Sequence, residues 1–139
     1  MTAGGIDAAH LTNLIDASLG TAPFIPTVPP LSCRLLAMIP SGSAAHDGVE
    51  YPPGGGYATG GQPISFSAAN YNALVIGAGA AGNNPVSWPN MPAGTPMGME
   101  TWDAAGRRKW WTELIDPEPL MEGDTFSFPA SSVIPQIIG

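Results

Sequence analysis

From Gly20 onward, glycine and proline recur so densely that they decide what the chain can fold into. Proline removes a backbone donor and fixes φ, and glycine carries an entropic cost inside any regular element. Long helices are therefore excluded over most of the 139 residues. One stretch escapes. Residues 6–19, IDAAHLTNLIDASL, set Ile6, Leu11, Leu14, Ile15 and Leu19 on a stripe of roughly helical spacing. Asp7 falls in the first turn of this helix, and Gly20 sits at its C-terminal stop.

The next segment, TAPFIPTVPPL, holds Pro23, Pro26, Pro29 and Pro30 and reads as an extended, polyproline-like arm. Phe24, Ile25 and Val28 give the arm apolar handles. Such an arm is unfavourable when loose in water, so it is expected to lie on the body or on a neighbouring subunit. From Leu31 the period changes to two. LSCRLLAMI reads as a mostly buried strand, and residues 40–61 as a loop rich in glycine and proline. QPISFSA, NPVSWPNM, PMGMETWD, RKWWTELI and GDTFSF follow as strands, and SVIPQII closes the chain. Pro135 demotes that last strand to a sheet edge. The expected architecture is all-β: an antiparallel sandwich or jelly-roll-like barrel of about eight short strands over residues 31–139, preceded by the helix and arm of residues 1–30.

Charge narrows the function classes. Charged residues make up 11% of the chain, against ~25% in an ordinary domain. Net charge is −7 with four Lys plus Arg. A nucleic-acid or anionic-membrane partner needs a basic footprint, which this balance does not supply. A surface with few charges loses little when another protein covers it. Cys33, the single cysteine, excludes an internal disulfide, and its apolar setting points to a buried, inert thiol. No apolar run approaches the ~20 residues of a membrane span. The N-terminus has no basic and apolar leader, so the chain is expected to fold in the cytoplasm.

Three motifs suggest chemistry and fail on context. Gly77, Gly79 and Gly82 match the spacing of a dinucleotide fingerprint, but NNPVSWPNMP follows them and cannot form the required helix. These glycines are read as a flexible strand connection, or as glycines that let backbones pack closely. His46 lies near Ser41, Ser43, Asp47 and Glu50, within one glycine-rich loop that lacks the scaffold of a catalytic triad or the ligand spacing of a metal site. His46 is read as a solvated loop residue, and His10 as exposed or a contact residue. Glu100, Asp103, Glu113, Asp116, Glu118, Glu122 and Asp124 form an acidic run, read as turns and outward-facing strand positions rather than a glycosidase pair. No catalytic, cofactor-binding or metal-binding residue is assigned.

METWDAAGRRKWW, residues 99–111, holds three of the four tryptophans and three of the four basic residues. DAAG fits a tight turn, with Asp103 capping it and Gly106 at positive φ. The segment is then a hairpin, and the adjacent indoles of Trp110 and Trp111 must face opposite sides of the sheet. Trp110 is expected to point inward with Leu114. Trp111 is expected on the outer face with Lys109 and Glu113. The candidate partner interface is Phe24, Ile25, Val28, Arg107, Arg108, Lys109 and Trp111.

GGGYATGGQPISFSAA (54–69), NPVSWPNMPAG (84–94), GMETWDAAGRRKWWTEL (98–114) and EGDTFSFPASSV (122–133) occur in an order that resembles a family of small tailed-phage virion proteins. Members are often labelled tail fibre, minor tail or capsid decoration proteins. The resemblance covers about three quarters of the chain, from Leu31 onward. Residues 71–83 form a longer connection than the family's usual turn, and the arm is unusually rich in proline. The resemblance implies a non-enzymatic virion protein without cofactor. The expectation is a capsid decoration protein acting as a homotrimer on the major capsid protein. The alternative is a minor tail, baseplate or fibre component, with possible glycan contact through exposed indoles.

Overall fold

The computed structural model describes residues 4–72, 77–130, 133 and 136–138. It is built mostly of short antiparallel strands with one helix, so the coarse all-β expectation holds. The main sheet has six strands. Strand β1 (Gly4–Ile6) pairs with β9 (Arg108–Glu113), β9 with β8 (Gly98–Trp102), and β8 with β2 (Leu31–Met38). The free edge of β2 is shared: β3 (Val49–Glu50) pairs with its C-terminal half and β4 (Gln62–Ile64) with its N-terminal half. Two smaller sheets complete the fold. Strand β7 (Val86–Trp88) pairs with β10 (Phe126–Phe128), and β6 (Gly77–Gly79) lies between β5 (Asn70–Asn72) and β11 (Gln136–Ile138). The last strand is a sheet edge, as expected; Pro135 itself lies outside the described residues.

The core sits between the main sheet and the β7–β10 ribbon. Cys33, Leu35, Ile64 and Met99 come from the sheet, Val86 and Trp88 from the ribbon, with Phe126 and Phe128 packed alongside. Alternation puts Val86 and Trp88 inward and leaves Ser87 in solvent. Burial pushes the Cys33 thiol up to about 12, which makes it the inert thiol the sequence implied.

Residues 40–61 are more than the loop expected from their composition. They form β3 and supply Tyr51 and Tyr57, each 2% exposed, to the core. The glycines here permit contact rather than slack. A Cβ on Gly56 would lie 1.6 Å from the Pro89 carbonyl oxygen, and one on Gly61 would lie 1.9 Å from that of Cys33. Tyr57 then reaches across to donate its hydroxyl to Glu50 Oε2 and accept the Leu35 amide.

The helix α1 (Ala8–Leu19) starts two residues later than its apolar stripe predicts, because Gly4–Ile6 joins the sheet as β1. Asp7 is the N-cap, not a first-turn residue, and accepts the Ala9 amide. Gly20 ends the helix at φ 73°. The stripe is only partly covered: Ile6, Leu11 and Leu14 are half-buried, no residue of α1 is fully buried, and Ile15 and Leu19 are exposed.

Candidate functional site: an ionic face and the arm it holds

The β8–β9 hairpin forms as its sequence predicts. Asp103 Oδ1 accepts the amides of Ala105 and Arg107, and Gly106 takes φ 79°. Register then sorts the side chains. Trp110 lies opposite Thr101, which faces Cys33, so Trp110 is on the core face and half-buried. Trp111 lies opposite Glu100, which faces Arg34, so it is on the other face. The opposed indoles are as expected. Trp111, expected on the outer face under a loop or a partner, is 6% exposed and so is covered within its own chain.

The reason is a cover that sequence periodicity does not reveal. Residues 40–46 and the N-terminal segment fold over the second face. Trp111 Nε1 donates to Ser43 Oγ at 3.0 Å, and the Ser43 carbonyl accepts from Ala8 N and from Arg108 Nη2. Between Trp102 and Thr101 the pairing skips Lys109, a bulge that sets Arg108 on the Glu100 side. Arg108, with no side-chain exposure, donates through Nε to Asp7 Oδ1 at 2.8 Å and approaches Glu100 Oε1 at 3.4 Å. His46 Nε2 meets the same Asp7 oxygen at 2.8 Å. Burial raises the Asp7 carboxyl, but the bonds from His46 and Arg108 outweigh it and hold the group below its ordinary value.

His46 is the exposed loop residue expected, its side chain 53% exposed, and it also meets the distant Asp7; the nearby Asp47 instead accepts the Ser41 amide. Glu100 and Asp103 do not face outward but are buried among cations. Arg108, Lys109 and Trp111, named for the partner interface, are each buried within their own chain. Burial lowers the Lys109 ammonium, against the opposing pull of Asp103, whose Oδ2 lies 3.8 Å from Nζ. His10 is half-buried against Lys109, and burial, reinforced by that cation, lowers its pKa.

The remaining candidates are separated by the same geometry. Arg107 uses its guanidinium within the chain, donating to Asp103 and to the Pro26 carbonyl. Asp103 Oδ2 accepts the Val28 amide, and Ala104 N donates to the Val28 carbonyl. Asn13 of α1 brackets the other end, donating to Pro23 O and accepting Ile25 N. The arm's backbone is thus tied down at both ends. Its side chains are not covered: Phe24 is 54%, Ile25 48% and Val28 41% exposed.

The other motifs resolve simply. Gly77 and Gly79 lie in β6, a strand paired on both sides rather than the turn into a helix, and Gly82 bridges Phe66. The segment 73–76 before them lies outside the described residues. Among the described residues, no cluster of three metal-ligating side chains occurs, and no helix is long and apolar enough to cross a membrane. The buried ionic groups were missed at the level of sequence. The available signal was Asp7 before an apolar stripe, which marks a helix cap but not its cation. The chain matches no family model, no curated protein and no solved structure.

Proposed function

We propose that this protein is a non-enzymatic structural subunit of a bacteriophage virion, a decoration protein that binds the capsid exterior as a homotrimer. Its two facing layers, the main sheet and the β7–β10 ribbon, are read as an open antiparallel sandwich. The observation that carries the reading is the arm. Phe24, Ile25 and Val28 are held in fixed positions by Asn13, Asp103 and Arg107, yet stay in solvent. Ordering an apolar segment before it meets a partner lowers the entropic cost of association. With Ile15 and Leu19 on α1, the arm offers apolar surface that a capsid subunit or a second copy can bury at ~25 cal/mol per Å². The order of sequence motifs supplies the phage context.

The tail-component reading has less support. It leans on exposed indoles for glycan contact, but Trp88 and Trp111 are buried and Trp102 stacks against Arg34. Antibody labelling of virions tests the assignment. Label over the head surface is the expected result, and label confined to the tail sinks it. Phe24→Ser with Ile25→Ser is expected to abolish particle binding while leaving the circular dichroism spectrum unchanged.

A further inference from the structure

The small sheet of β5, β6 and β11 shares no ladder with the main sheet or with the β7–β10 ribbon. Its base is fixed where Phe66 and Val133 pack against the core, Asn83 N donates to Ser65 O, and Gly82 N donates to Val133 O. Beyond that base burial ends. Ile64 and Gly82 are buried, but none of the described side chains from Ser67 to Ala81 is, and Ala68 and Ala69 are exposed. Strands β5 and β11 are the two edges, and among the described residues no strand pairs with the outer side of either. Such an edge presents backbone donors and acceptors to any strand that approaches, and natural sheets blunt it with charge or proline. Strand β5 has neither device: from Ser65 to Asn72 the sequence holds no charged residue and no proline. Strand β11 follows Pro135, but Gln136–Ile138 keep their donors and carry no charge. The neutrality is regional. No Asp, Glu, Lys, Arg or His occurs between Tyr51 and Met99 or after Asp124, so the net charge of −7 lies wholly elsewhere.

We infer that these two edges are the contact between copies: β5 of one protomer pairs with β11 of a second copy of this chain. Charge selects the occupant. Two chains of net charge −7 repel where their acidic surfaces approach, and through this sheet they meet without bringing charges together. Symmetry selects the two edges. A ring of three copies repeats one head-to-tail contact, which needs two different patches on each copy. Strands β5 and β11 are two such patches on one sheet. The inference rests on the homotrimer reading and names its contact. It leaves Phe24, Ile25 and Val28 to the capsid subunit.

Mass measurement and cross-linking of the full chain test it. Native mass spectrometry is expected to give a trimer. Asn70→Cys or Asn72→Cys is then mixed with Gln136→Cys or Ile138→Cys, left to exchange subunits and mildly oxidised. The native Cys33 stays silent because it is buried. A disulfide is expected in at least one of the four mixtures and in no variant by itself. A chain carrying a responding pair should run as a covalent trimer. It cannot close on itself, because β6 holds β5 and β11 about 9.5 Å apart, beyond the ~7 Å between Cα atoms that a disulfide tolerates. A bond formed by a β5 variant by itself means a two-fold contact and overturns the head-to-tail pairing. A trimer with no bond in any mixture places the contact elsewhere, overturning the inference while the homotrimer stands. A monomer at every concentration overturns both. Tail-confined antibody label beside a positive cross-link would sink the capsid assignment and leave this contact intact. Circular dichroism checks each variant, and the four mixtures keep the test decisive if one variant fails to fold.

Discussion

On one face of the main sheet, Cys33, Leu35 and Met99 pack against aromatic rings and sulfur. On the other, Glu100, Arg108 and Trp111, from the two hairpin strands of the same sheet, are nearly as buried. The first face is held by dispersion and the exclusion of water, which need only volume and shape. The second is held by directed bonds among charges, which need every partner in place. The apolar face joins the sheet to the β7–β10 ribbon. The ionic face joins it to the N-terminal segment and residues 40–46, while the arm is tied separately, at the hairpin turn by Asp103 and Arg107 and at Asn13 of α1.

The largest effect is expected from breaking that face outright. Arg108→Ala leaves Asp7 and Glu100 buried without their cation and should cost about 3–5 kcal/mol, by the rule for one-sided loss of a buried pair. Leu35→Ala on the opposite face should cost about 2–5 kcal/mol through a cavity. Urea denaturation measures both. Pairing each with Asp7→Asn sharpens the contrast: the arginine variant should be partly rescued and the leucine variant should not.

Acid separates the faces next. The folded-state carboxyls of Asp7 and Asp103 sit below the ordinary 3.8, in each case because hydrogen bonds and cations outweigh the raising effect of burial. A depressed folded pKa adds stability that is complete above the unfolded value and is lost as pH falls through the folded one. Stability should thus decline below about pH 4. Asp7→Asn should flatten that decline, whereas Leu35→Ala should shift the whole curve without changing its slope. Denaturation midpoints across this window check it, and an unchanged slope in the asparagine variant removes Asp7 from the account.

A smaller and more local effect is expected at Asp103. Asp103→Ala removes acceptors for Val28 N, Ala105 N and Arg107 N. The loss should be about 1–3 kcal/mol. Hydrogen exchange at Val28 should accelerate well before that at Leu35, whose amide is bonded to Tyr57 on the core side. Equal acceleration at both would mean that the arm is not a separate unit. The smallest change belongs to the arm's surface. Phe24→Ser should alter monomer stability by no more than about 0.5 kcal/mol, because its ring is already in solvent.

Much of the fold could be read from local pattern. The strand at 31–38, the DAAG turn, the inward Val86 and Trp88 and the stop at Gly20 all follow from period two, from turn chemistry or from a helix cap. The site was less legible. Its partners are far apart in sequence: Asp7 and Arg108 are 101 residues apart, and His46 is 39 from Asp7. The bulge at Lys109 reverses the face on which a simple alternation would place Arg108.

The adjacent indoles show where the boundary lies. Sequence alone determined that Trp110 and Trp111 take opposite faces, because successive residues of a strand point to opposite sides. It could not determine which face meets solvent, since that depends on what is laid over each. Tertiary structure decided it when Ser43, Asp7 and their segments closed over Trp111 and Arg108 and left the arm's apolar side chains outside. Chain geometry sets direction within a strand, whereas burial is set by the segments that return to cover it.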